Sequence, residues 1–172
     1  MGLFSFIKDA GEKLLGIGDA EAAAEEAQAA DAAKAEAAAQ KTAAANQAAG
    51  DAIKGYVAKM GLEAEGLDIG FDGKTGTVMV AGIADTQETK EKILLCCGNV
   101  KGVQDVEDNM VVTNVEADAQ FHTVMSGDNL SKIAKEFYGD AGKYPVIFEA
   151  NKPMLEHPDK IYPGQMLRIP AL

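Results

Sequence analysis

Catalysis or metal binding in this sequence would have to begin at His122 and His157, at the adjacent cysteines Cys96 and Cys97, or at carboxylate pairs such as Glu107-Asp108. Neither histidine belongs to an HExxH spacing, and no spaced cysteine pair completes a zinc set with them. Neighbouring cysteines rarely reach the Cβ geometry that a disulfide demands, so Cys96 and Cys97 read as small core or helix-face residues. A glycosidase carboxylate pair is defined in space rather than in sequence, and Glu107-Asp108 reads equally well as solvated strand-edge charge. There is no nucleophile elbow and no glycine-rich loop between a strand and a helix. The chemistry expected is binding, not catalysis.

The elements that would position a binding site alternate in character along the chain. Residues 3–15 mix Leu3, Phe4, Phe6, Ile7, Leu14 and Leu15 with charges, a short amphipathic segment. Residues 20–49 are Ala-rich with Glu, Gln, Lys and Asp, strong helix formers that offer almost no apolar stripe. The expectation is a solvent-exposed helix or semi-rigid spacer whose deletion leaves the rest folded. Ile53, Tyr56, Val57 and Met60 restore helical amphipathicity and Gly61 stops it. Leu67, Ile69 and Phe71 alternate as a strand, Asp72-Gly73 turns, and residues 76–81 form a second strand. Asp85 with Glu88 predicts the N-cap of a helix running through Cys97. Gly98-Asn99 ends it, and a last strand lies within 103–113.

Composition narrows the partners. The 172 residues carry a net charge of −11, with the surplus of acid confined to the first 120 residues. Such a chain repels phosphate backbones, so nucleic acid is not an expected partner. The N-terminus lacks a basic n-region and a long apolar run, and no stretch reaches membrane-spanning length. A cytoplasmic, monomeric protein is expected.

The helix–strand–strand–helix–strand order, with GNVKGV at 98–103 leading into VQDVEDNMVV, resembles a BON domain. The segment FHTVMSGDNLSKIAKEFYGDAGKYPVIFEANKPMLEHPDKIYPGQMLRIP resembles a LysM domain almost throughout. In it Asp128 is expected to cap the first helix, Gly139 to end it, and Pro145 to sit in the first turn of the second. The fold class is α+β: an N-terminal segment (1–18), an Ala-rich spacer (19–50), a BON-like αββαβ unit (51–115) and a LysM βααβ unit (120–172). The LysM resemblance implies a shallow groove for N-acetylglucosamine-containing glycans such as peptidoglycan. Its matching positions are Ser126, Gly127, Asp128, Asn129, Asn151, Pro153, Ile161 and Tyr162. Turn and cap duties explain Gly127, Asp128 and Asn151 equally well.

The whole arrangement, with MGLFSFIKDAGEKL at its start, resembles the small bacterial cytosolic potassium-binding proteins. That resemblance implies a K⁺ sensor or buffer that changes shape on binding, with K⁺ (Rb⁺ as a substitute) and no organic cofactor. It suggests backbone carbonyls of Ile7, Ala10, Gly98, Val100 and Val103 as ligands. K⁺ is selected by cages of carbonyl oxygens, which motif searching does not detect; glycine-containing turns such as 98–103 are the visible trace. Helix-capping by Gly98 and strand-leading by Gly102 account for the same residues. The Ala-rich stretch departs from the family's charged linker. About thirty helical residues span roughly 45 Å, so residues 1–15 reach the turn only if that helix folds back.

Overall fold

The computed structural model of the protein describes residues 4–5, 11, 14, 16–29 and 34–172. Strand β1 (Phe4–Ser5) precedes helices α1 (Ile17–Ala29) and α2 (Ala35–Lys59). Strands β2 (Glu65–Asp72) and β3 (Thr77–Thr86), helix α3 (Gln87–Gly98) and strand β4 (Asp105–Asn114) complete the first unit. The second unit comprises β5 (Gln120–Thr123), α4 (Leu130–Tyr138), a 3₁₀ turn at Ala141–Lys143, α5 (Tyr144–Ala150) and β6 (Met166–Ile169). This is the α+β arrangement that the sequence leads one to expect.

The first sheet runs β1-β4-β3-β2. Strands β2 and β3 form an antiparallel hairpin, whereas β3 and β4 are parallel and joined by α3 as the crossover. The period-two pattern puts Ile69, Phe71, Val78, Val80, Ala84, Val106 and Met110 on one face, where Ile53 and Val57 of α2 and Ile93, Leu94 and Cys97 of α3 join them in the core. Helix α3 is capped by Thr86, whose hydroxyl accepts the Thr89 N–H at 3.1 Å, one residue later than the Asp85 cap expected. Both cysteines are free and buried. Burial pushes the Cys96 thiol up to about 12 and the Cys97 thiol well above its usual range, so both pack rather than react.

The Ala-rich stretch is helical, but it is not one free rod. Helix α1 lies antiparallel to α2: Gly16 sits beside Ala49, Thr42 donates to the Ala23 carbonyl at 3.0 Å, and Lys41 pairs with Glu26. Exposure is as expected near residues 34–37, yet Ala20, Ala23, Ala24 and Ala49 are buried. Alanine buries little area, but its small size lets backbones approach closely. A Cβ on Gly50 would fall 2.6 Å from the Ile69 carbonyl oxygen, and one on Gly73 2.4 Å from that of Ala20. Asn46 Oδ1 accepts the Gly73 N–H at 3.1 Å. The helical hairpin is therefore docked on the sheet and on the β2–β3 turn, which argues against a neutral deletion of 20–49.

In the second unit β5 and β6 pair antiparallel, and Val124, Leu130, Ile133, Ala134, Ile147, Leu155, Leu167 and Ile169 form a separate core. The α4 cap is Asn129, whose Oδ1 accepts the Lys132 N–H at 2.9 Å. Asp128, expected in that role, instead accepts the Met125 N–H at 2.8 Å and bonds His122 Nε2 at 3.0 Å. The His122 bond first, and the Met125 N–H second, hold the Asp128 carboxyl below its usual range. Gly139 ends α4 in the left-handed conformation expected, at φ 73°.

Candidate functional site

The turn at 98–103 is built from backbone. Gly98 is the last residue of α3, and Asn99 follows as its C-cap with φ −80° and ψ 14°. Val100 and Val103 bury their side chains completely, and the Val103 N–H donates to the Val100 oxygen at 3.1 Å. Gly102 has φ +99°, a left-handed conformation that a residue with a Cβ adopts only under strain. Gly98 has no such φ: its helical backbone makes it a buried end of α3 rather than a conformational exception.

Ile7 and Ala10 lie outside the described residues. The chain on either side of them meets the turn. Phe4 and Ser5 pair with Val106 and Asp105, just beyond it. Gly11, at φ +106°, abuts it so closely that a Cβ there would fall 2.0 Å from the Asn99 carbonyl oxygen and 3.2 Å from Lys101 N. At the start of α1, Ile17 Cγ2 lies 2.4 Å from where a Cβ on Gly102 would be. Folding α1 back along α2 brings this about, meeting the geometric condition that the length of the Ala-rich stretch imposed.

The second unit closes on the same turn from another side. Asn99 Nδ2 donates to the Met166 carbonyl and Asn99 Oδ1 accepts the Met166 N–H, both at 2.9 Å. Two helical turns earlier, buried Glu91 takes Arg168 Nε at 2.6 Å, and its other oxygen accepts the Ala119 N–H at 3.0 Å. Sequence reasoning missed Gly11, Asn99, Glu91 and Arg168 as functional candidates. The one available signal was Arg168 itself, the chain's single arginine, set within the apolar closing strand MLRI.

The glycan-type positions are not gathered around one cavity. Pro153 and Tyr162 help line a cleft of about 240 Å³ that Tyr56, Met60 and Asn99 of the first unit also line. Ser126, Gly127 and Asn129 are exposed in the other loop and do not line it. Asn151 is 2 % exposed: its amide donates to the Ile147 and Arg168 carbonyls, and its oxygen accepts the Arg168 N–H. That side chain ties α5 to β6, with both its donors engaged and its atoms buried away from any sugar. Ile161 packs against the core of the second unit. Among the described residues no group of three or more His, Cys, Asp or Glu is placed to hold a metal ion. The turn itself, GNVKGV at 98–103, carries no carboxylate, so its oxygens are those of the backbone and of the Asn99 amide. No helix among the described residues is long and apolar enough to cross a membrane.

Comparison with known proteins fits this two-unit arrangement. Residues 48–114 match the BON domain and residues 122–170 the LysM domain. Over 176 aligned residues, 99 % of both chains, the sequence is 42 % identical to the potassium binding protein Kbp of Escherichia coli O6:H1. It is also 51 % identical over 50 residues to an uncharacterized protein of Deinococcus radiodurans, covering 29 % of this chain and 19 % of that one.

Proposed function

The chain belongs to the family of the potassium binding protein Kbp, with a BON domain followed by one LysM domain, and from that premise we propose that it binds K⁺ at the 98–103 turn through backbone carbonyls. The observation that carries this reading is convergence: Gly11 and Ile17 from the N-terminal region and Met166 from β6 all meet one glycine-containing turn. A large, weakly hydrated cation is selected by several carbonyl dipoles held at a fixed spacing, and convergence of segments supplies them. The ligands proposed are the carbonyls of Ile7, Ala10, Gly98, Val100 and Val103. Because those oxygens come from different segments, occupancy favours the closed arrangement, which suits a sensor or buffer better than a catalyst.

The test is a thermal melt with calorimetry in KCl, RbCl, NaCl, LiCl and chitin oligomers. K⁺ and Rb⁺ at a hundred times Kd should stabilise by about 2.7 kcal/mol, or roughly 5–10 °C for a chain this size, with Na⁺ and Li⁺ far weaker. A response to chitin oligomers alone would overturn the reading in favour of a glycan-binding LysM domain. The burial of Asn151, with both its amide hydrogens donated within the LysM unit, and the position of Ser126, Gly127 and Asn129 outside the cleft that Pro153 and Tyr162 line speak against that alternative. The potassium reading also puts the protein in the cytoplasm; recovery chiefly with the cell envelope would count against it.

A further inference from the structure

Besides the packing of Met166 into the core of the first unit, two polar contacts tie helix α3 and its C-cap to the LysM domain, and they are held differently. The first is Glu91, 2 % exposed, bonded to Arg168, to the Ala119 N–H and to Gln87 Nε2 at 3.0 Å. All of these partners belong to α3 itself or to the chain at and beyond residue 119, and none belongs to the 98–103 turn. The second is Asn99, eight residues and about 12 Å further along the helix axis. Its side-chain amide forms a matched donor–acceptor pair with the Met166 backbone, as an added strand residue would. The same residue begins the turn, and its carbonyl oxygen faces Gly11. An amide two bonds from its own backbone keeps both hydrogen bonds only while that backbone holds its place. Loss of both leaves the Met166 N–H and carbonyl without those partners.

We infer that these contacts have separate duties: Glu91–Arg168 is a standing hinge between the domains, and Asn99–Met166 is a latch that closes only when the turn has its ion-bound shape. Asn99 is thus a positioning residue for the site, acting through its own backbone. The inference rests on the potassium reading and adds to it which contact transmits occupancy. By linkage, if K⁺ tightens the latch by some factor, the closed latch tightens K⁺ by the same factor.

Amide hydrogen exchange in the full chain, read at single residues in KCl against tetramethylammonium chloride, tests this directly. The Met166 N–H reports the latch, because it donates to Asn99 Oδ1. The Arg168 N–H, held by Asn151 within the LysM domain, is the internal control. K⁺ should slow exchange at Met166 about fivefold or more and leave Arg168 unchanged. Asn99→Ala should abolish the Met166 response, keep Arg168 protected, and weaken K⁺ by a matching factor. Asn99→Asp, which keeps the acceptor for the Met166 N–H, should fall between. Calorimetric K⁺ binding with an unaltered Met166 amide, equal slowing at both amides, or a Met166 response that survives in Asn99→Ala would each overturn the latch alone. Absence of any K⁺ heat in the unaltered protein would overturn the potassium reading beneath it.

Discussion

The turn at 98–103 and the loop at 125–129 each place one glycine in the left-handed region, yet they are built in opposite ways. Gly102, at φ +99°, is buried with Ile17 pressed against it, whereas a Cβ added to Gly127, at φ +89°, would meet nothing within 4 Å. The BON turn is closed by backbone and by neighbours distant in sequence. The LysM loop is closed by its own side chains: Asp128 accepts from Met125, Asn129 caps α4, and Lys132 Nζ reaches the Gly127 carbonyl at 2.7 Å. A loop that satisfies itself locally absorbs change locally. A turn assembled from distant segments passes any change on to all of them, which is the property that an ion-responsive site needs.

The sharpest way to break this comparison is Gly102→Val. Left-handed strain and overpacking against Ile17 together should cost about 2–5 kcal/mol, and the K⁺-dependent shift of the denaturant midpoint should vanish. Retention of that shift would remove the turn from the site. Gly127→Ala is the matched control: strain without crowding should cost about 1–2 kcal/mol and leave the calorimetric K⁺ affinity unchanged. The smallest effect is expected from charge. Asp105→Asn with Glu107→Gln should alter K⁺ affinity by no more than about threefold, and the change should fade in added tetramethylammonium chloride as screening shortens to about 10 Å at 0.1 M. Asp108 is left intact because its carboxylate is tied to Lys90 Nζ at 2.7 Å and accepts the Met110 N–H. Loss of binding in the acidic double variant would point instead to a carboxylate site for a divalent cation.

What could be read from the sequence follows the same division. The LysM unit is legible because its strands, caps and breaks are side-chain signals at fixed local spacing: Leu130 and Ile133 on one face, Gly139 after the last turn. Even there the cap falls on Asn129 rather than Asp128, since either side chain can accept a backbone N–H and only geometry chooses. The burial of Ala20 and Ala49 is not legible, because alanine's contribution depends on what approaches it rather than on a stripe of its own. Glu91 and Arg168 are 77 residues apart, and a lone glutamate on a helix reads as solvated charge until its partner is known. The proposed cage leaves the faintest trace. Every residue carries a carbonyl, and the left-handed backbones of Gly11 and Gly102 are what set this place apart.

The antiparallel α1–α2 pair has a consequence for how such proteins can vary. A single rod delivers its start to a place that shifts by about 1.5 Å with every residue gained or lost. A hairpin returns its two ends side by side whatever its reach: Gly16 lies beside Ala49, and residues 34–37 are exposed. Adding or removing a turn from both arms therefore lengthens or shortens the outer part alone. Gly11 stays where it is, against Asn99. Length can then change in the exposed outer part of the hairpin, beyond the buried alanines, while the delivery of the N-terminal segment stays constant.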